Sequence, residues 1–188
     1  MAELIAHFDA MHEADEDPWQ VTSRWYERRK RALTMAALPL ERYVHAFEPG
    51  CSIGALTQLL ADRCDRLLAM DAARAAVVRC KTRVAGARNV TVEQGRLPDD
   101  WPAGPFDLVV LSEVAYYLDS ADVDASLDRC VASLAPGGHL VSVHWSQVAD
   151  DFRTPGHEVH RRIGVRPELV AVASYEDKDF RLDVRARR

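Results

Sequence analysis

Apolar residues return along this chain in two rhythms. Short runs rich in β-branched residues alternate, from residue 43 to residue 144, with stretches whose apolar side chains recur every three or four positions. The first spacing belongs to buried strands and the second to amphipathic helices. The strands read as Tyr43–Glu48, Arg66–Asp71, Asn89–Gln94, Phe106–Ser112 and His139–His144. Between them lie helices over Gly54–Arg63, with Leu56, Leu59 and Leu60 on one face, over Ala73–Val84, and over Ala121–Leu134, the last ended by Pro136-Gly137-Gly138. Residues 95–105 hold three prolines and two glycines and form a loop. A further helix is expected over 23–37, with Ser23 as its N-cap and Pro39 beyond its end. The stretch up to Trp19 is acidic and expected to be irregular. After residue 150 the pattern gives a helix at Pro155–Ile163, then strands at Leu169–Ser174 and Phe180–Arg185 around the turn Glu176–Asp179, close enough to form an antiparallel hairpin.

Strands alternating with helices imply a parallel sheet covered on both faces. The Leu-Val-Val-Leu run at 108–111 suits a strand buried on both sides. The expected class is α/β: a Rossmann-like, doubly wound sheet of five parallel strands plus a C-terminal antiparallel hairpin, three layers deep. One domain is expected over 1–188, with residues 1–38 as an N-terminal cap segment and helix and 39–188 as the core.

Composition adds limits. The chain of 188 residues is 48% hydrophobic and 28% charged, as folded globular domains are. No apolar run approaches the roughly 20 residues that a membrane helix needs, and the N-terminus lacks a basic, apolar leader. A cytoplasmic protein with no membrane partner is expected. The net charge of −5 argues against a nucleic-acid substrate. Cys51, Cys64, Cys80 and Cys130 form no C-x-x-C pair and read as reduced structural thiols.

The turn after the first strand, Glu48-Pro49-Gly50-Cys51-Ser52-Ile53-Gly54, falls where doubly wound sheets bind ligands. Gly50 lets the backbone turn and approach a ligand closely. An acid at Glu48 would be awkward beside a pyrophosphate. It suits a cofactor with a positive amino group and no phosphate, as S-adenosylmethionine has. Asp71 ends the second strand 21 residues after Gly50, the spacing of a carboxylate that accepts from both ribose hydroxyls. Two rivals stay open. A nicotinamide turn would want G-x-G-x-x-G, but Ser52 and Ala55 occupy the later positions. Gly50-Cys51-Ser52-Ile53-Gly54 also matches the G-x-S-x-G elbow of serine hydrolases, though a single strand precedes it. A P-loop is excluded, since no Lys-Ser/Thr pair closes the turn.

Several strings taken together resemble the class I S-adenosylmethionine-dependent methyltransferases and, within them, the nodulation S (NodS) family. They are Asp17-Pro18-Trp19, Tyr26-Glu27-Arg28, Glu48-Pro49-Gly50-Cys51 with Gly54, Phe106-Asp107-Leu108-Val109-Val110, Ser112-Glu113-Val114 with Tyr116-Tyr117-Leu118, and Leu134-Ala135-Pro136-Gly137-Gly138. The resemblance covers roughly residues 15–185. It implies a cofactor turn of Glu48, Gly50, Cys51 and Gly54, with Asp71 on the ribose. Arg96 and Leu97 would pass beside the adenine; many members carry an acid where this chain has Arg96. Ser112 and Glu113 would end the fourth strand beside the donor sulfur. Trp19, Tyr26 and the stretch from Arg28 to Lys30 would cover the cofactor. The implied acceptor is a small molecule such as an amino-sugar or oligosaccharide, and the implied state a monomer or homodimer.

Methyl transfer from a sulfonium needs chiefly positioning, and a protonated amine must first lose a proton. Glu113 is the first candidate base. Tyr116 or Tyr117 would orient the acceptor, although neighbours in sequence should not share a face and one of them is expected in the core. His144 is a candidate base or substrate contact. His157 and His160, spaced i and i+3, miss the metal pattern H-E-x-x-H and read as surface or substrate-edge residues; no metal is expected. Trp25 reads as a packing residue. The alternatives are a non-catalytic subunit that binds S-adenosylmethionine or S-adenosylhomocysteine, and a hydrolase using Ser52.

Overall fold

The computed structural model describes residues 2–188. Seven strands form one sheet: β1 (Tyr43–Pro49), β2 (Cys64–Asp71), β3 (Val90–Gln94), β4 (Phe106–Ser112), β5 (Leu134–Trp145), β6 (Leu169–Glu176) and β7 (Phe180–Arg187). Their spatial order is β3-β2-β1-β4-β5-β7-β6. The first five are parallel, and β7 runs antiparallel between β5 and β6. This is the doubly wound sheet with a terminal hairpin that the hydrophobic pattern predicts.

Strand alternation divides the core into two layers. Val109 and Leu111 of β4 and Leu140 of β5 pack against α5 (Ser120–Ser133) and α6 (Gly156–Gly164) through Leu127, Val159 and Ile163. Leu108, Val110, Val141 and Val143 face the other way, toward Leu56 and Leu60 of α3 (Ala55–Ala61) and toward α2 (Trp25–Ala36). On that side Val77 and Cys80 of α4 (Arg74–Arg83) pack over Ala69 and Val92. No helix among the described residues is long and apolar enough to cross a membrane.

Four expectations are corrected. The acidic N-terminus is a helix, α1 (Ala2–Ala14). Leu4, Ile5, Phe8, Met11 and His12 are partly or wholly buried at helical spacing while Glu3, Ala6, His7 and Glu13 face solvent. The dense acids hid this stripe. Ser23 does not cap α2; the cap position is Arg24, with no side-chain hydrogen bond, and the Ser23 hydroxyl turns back to the Gln20 carbonyl. Pro136-Gly137-Gly138 does not separate helix from strand. β5 already begins at Leu134, paired with Phe106. A bulge between Phe106 and Leu108 takes up the extra residues. Trp25 does not pack inside: it is 69% exposed, with the Arg28 guanidinium over its ring.

Candidate active site

The order β2-β1-β4-β5 places the switch point of the sheet between β1 and β4. There the turn after β1 meets the loop after β4. Gly50 has φ +75°, and a Cβ on it would lie 2.7 Å from both Cβ and Cγ2 of Val114. Only glycine fits both the conformation and the space. We expect Gly50→Ala to lower stability by about 2–3 kcal/mol, from left-handed strain plus the clash. Gly86→Ala, with open space around the new methyl, should stay within about 0.5 kcal/mol of the parent. Urea melts of the two variants decide this; equal midpoints would show that the contact carries no energy.

A cavity of about 600 Å³ opens at this junction. Its two ends differ in chemistry. At the β1–β2 end lie Gly50, Ser52, Asp71, Ala72, Gly95, Arg96 and Leu97. Asp71 receives the backbone N–H of Ser52 at 2.8 Å and of Ala73 at 2.9 Å, each on a different oxygen. Burial pushes its carboxyl upward, and these two amides pull it back. The carboxylate is thereby held rigid, with free lone pairs on each oxygen. The Arg96 side chain turns to Asp99, 2.8 Å away.

At the other end lie Glu113, Tyr116, Tyr117, Tyr26, Glu27, Lys30, Trp145, Asp151, Phe152 and Asp179. Glu113 follows β4 with φ +58°, a strained backbone of the kind that concentrates at functional sites. One of its oxygens accepts from the Tyr116 hydroxyl. The other faces the Lys30 ammonium at 3.3 Å, without hydrogen-bond alignment. Burial raises the Glu113 carboxyl above its ordinary range, with Lys30 and then Tyr116 pulling it down. Lys30 is also paired with Glu27 at 3.0 Å and sits over the Tyr26 ring. The lining acids Glu27, Asp71, Glu113, Asp151 and Asp179 outnumber the lining cations Arg24, Lys30 and Arg96, so the wall favours a cation.

The roof is aromatic. Asp17 accepts the N–H groups of Val21 and Thr22, and this turn presents Trp19. Trp19, Phe8 of α1 and Tyr117 make successive edge-on contacts. Phe152 stacks on Tyr116 with centroids 3.8 Å apart.

Most of the expected site residues meet at this cavity: Trp19, Lys30, Gly50, Asp71, Arg96, Leu97, Ser112, Glu113 and Tyr117 all line it. Lys30 lies at the Glu113 end rather than over the Gly50 turn. Tyr116 and Tyr117 both face the cavity, because a 3₁₀ turn at Ala115–Tyr117 carries them there. Four expected residues stand elsewhere. Phe47 faces the α5 layer, so Glu48 takes the opposite face, under α3. It is buried against Thr57 and pushed well up by that burial. Cys51 and Gly54 brace the turn from behind: the Cys51 amide bonds to Met70, and Gly54 is the N-cap position of α3 with φ +81°. His144 is buried beneath the cavity. Its Nδ1 meets His160 at 3.1 Å, and His160 meets Asp183 at 2.7 Å. His160 is therefore a core residue, not one of the surface or substrate edge.

Sequence reasoning missed Ile5, Phe8 and His12 of α1, Trp145 at the end of β5, and Asp151 and Phe152 of the segment after it. The first three recur at helical spacing and were legible in principle. The loop residues carry no pattern that says where they point. Ser52 lines the cavity, but its hydroxyl has no hydrogen-bond partner. Among the described residues nothing activates it as a nucleophile.

A crystal structure of the N-methyltransferase NodS from Bradyrhizobium japonicum WM9, in complex with S-adenosyl-L-homocysteine, superimposes with a TM-score of 0.88. It is 25% identical, and the match covers 97% of each chain. A Pseudomonas syringae protein assigned as a methyltransferase is 44% identical with a TM-score of 0.78, over 87% of this chain and 100% of that one. The Nodulation protein S of Rhizobium tropici is 33% identical over 130 residues, 68% of this chain. This chain spans only 55% of the length of that curated relative. The family model of nodulation protein S (NodS) matches residues 9–159. The match takes in both ends of the cavity, from the roof helix through Gly50, Asp71 and Glu113 to Phe152, and on that extent the chain belongs to the NodS family.

Proposed function

We propose that this protein is an S-adenosylmethionine-dependent methyltransferase that methylates the amine of a small molecule, with an amino-sugar as the first candidate. The observation that carries the reading is one continuous cavity, with the Gly50–Asp71 turn at one end and the Glu113–Tyr116–Lys30 cluster at the other. The residues present fit the cofactor. Gly50 keeps the turn tight against Val114 at the cavity wall, Asp71 offers lone pairs to two ribose hydroxyls, and the Ser52 hydroxyl is a buried, unpaired group in the wall. When bound, S-adenosylmethionine supplies an activated methyl group on a sulfonium.

The chain's own residues do the rest. The acidic wall draws in a protonated amine. Tyr26, Trp145 and Phe152 exclude water and orient the acceptor by packing on its apolar faces. Glu113 takes the proton that the amine must lose before its lone pair can attack. Lys30 keeps Glu113 ionised when no cationic acceptor is present, while the Tyr116 hydroxyl fixes the orientation of the carboxylate. The four buried free thiols suit a reducing, cytoplasmic setting.

Two measurements test this reading. S-adenosylhomocysteine should raise the melting temperature while NAD does not, since a ligand that binds only the native state stabilises it. With labelled S-adenosylmethionine, methyl transfer should appear with amino-sugars and vanish with their N-acetylated forms. Binding without transfer to any amine would favour the non-catalytic subunit instead. Ser52→Ala should keep most of the transfer activity, whereas a hydrolase would lose all activity.

A further inference from the structure

Among the described residues, four buried polar groups in the cavity wall lack a hydrogen-bond partner: the Tyr26 hydroxyl, Glu113 Oε1, the Ser52 hydroxyl and His12 Nδ1. The first two stand at the acceptor end, and Ser52 is part of the wall already assigned to the cofactor. His12 has no role so far. It is 2% exposed, and an unpaired polar atom at that depth is costly unless a ligand satisfies it.

The position of His12 is fixed by α4, the helix that follows Asp71. Its carbonyl accepts from Arg79, and on the preceding turn of α1 the Asp9 carboxylate accepts the Ala75 N–H at 3.0 Å. α1 is thus laid across the start of α4, which places His12 beside the Asp71 end of the cavity, while Phe8 one turn earlier reaches Tyr117. The Trp19 indole meets the imidazole edge-on, with centroids 5.2 Å apart. Burial, then the Arg79 charge, holds His12 below its ordinary pKa against the opposing pull of Asp9 and Asp17. At neutral pH the ring therefore presents one N–H and one bare nitrogen. That pair complements an uncharged nucleoside, which offers both donors and acceptors. At the same end the Arg96 side chain is tied to Asp99 and supplies no acceptor of its own.

Building on the methyltransferase reading, we propose that the His12 imidazole hydrogen-bonds the adenosine half of the cofactor and, with Trp19 against it, forms a fixed clamp on the nucleoside.

The test is calorimetric, on the full chain. S-adenosylhomocysteine and 5′-methylthioadenosine share the adenosine, but only the first carries the amino-acid end. His12→Phe keeps an aromatic ring against Trp19 and removes the hydrogen bonds, while His12→Asn keeps a polar atom close to Nδ1. The wild-type chain should bind both ligands. His12→Phe should weaken both about tenfold, as losing one buried hydrogen bond does, and His12→Asn should recover most of the loss. Unchanged binding by His12→Phe would overturn the proposal. So would a loss confined to S-adenosylhomocysteine, which would place the contact on the amino-acid end. Failure of the wild-type chain to bind either ligand would remove the methyltransferase reading itself, a result separable from any effect of His12.

Discussion

Glu113→Gln is expected to lower kcat for methylation of an amine by about a hundredfold or more, the usual contribution of a positioned general base. The amide keeps the size of the side chain and can still accept from Tyr116, so affinity for S-adenosylhomocysteine should stay within about twofold of the parent. The pH profile separates a base from a binding group. Burial lifts the Glu113 carboxyl above its ordinary range. The ionised, active form is thus lost as pH falls through that raised value, and wild-type activity should climb with pH across it. In Glu113→Gln the climb should disappear, leaving only the titration of the acceptor. A variant with normal kcat and an unshifted profile would assign proton removal to solvent.

Asp71→Ala is expected to weaken S-adenosylhomocysteine about a hundredfold. Hydrogen bonds to a charged group contribute roughly 1.5–3 kcal/mol each, and about 1.4 kcal/mol corresponds to tenfold in affinity. Two ribose hydroxyls on one carboxylate therefore reach that figure. The same substitution strips the Ser52 and Ala73 amides of their acceptor, so the turn should loosen as well. Asp71→Asn, which keeps an acceptor oxygen, should fall between the two. Titration calorimetry on the three proteins tests the ranking. Equal affinities would mean that the ribose lies elsewhere.

The sheet was legible in the chain because its strands are short, bounded by turn residues, and either apolar on both faces, as Leu108 to Leu111 on β4, or strictly alternating, as Phe180–Arg185 on β7. The turn at Gly50 was legible for a similar reason: a glycine and an acid at neighbouring strand ends mark the crevice where the cavity opens. What escaped depended on direction rather than identity. Glu48 was assigned to the ligand from its chemistry, yet strand alternation turns it toward Thr57. His160 looked like a surface residue until β7 supplied Asp183 from 23 positions further along the chain. The roof was hidden because α1 carries its apolar stripe among acids. Phe152 reaches Tyr116 from a loop, whose residues carry no periodicity.

The central claim is that one cavity seats a methyl donor's nucleoside on Asp71 and its sulfur beside Glu113. A crystal structure with S-adenosylhomocysteine tests it most directly. The account predicts ribose hydroxyls on the Asp71 carboxylate, adenosine under Trp19 and His12, and the sulfur facing the space between Glu113 and Tyr26. A ligand lying with its sulfur away from Glu113, or a cavity that stays empty at saturating ligand, would contradict it.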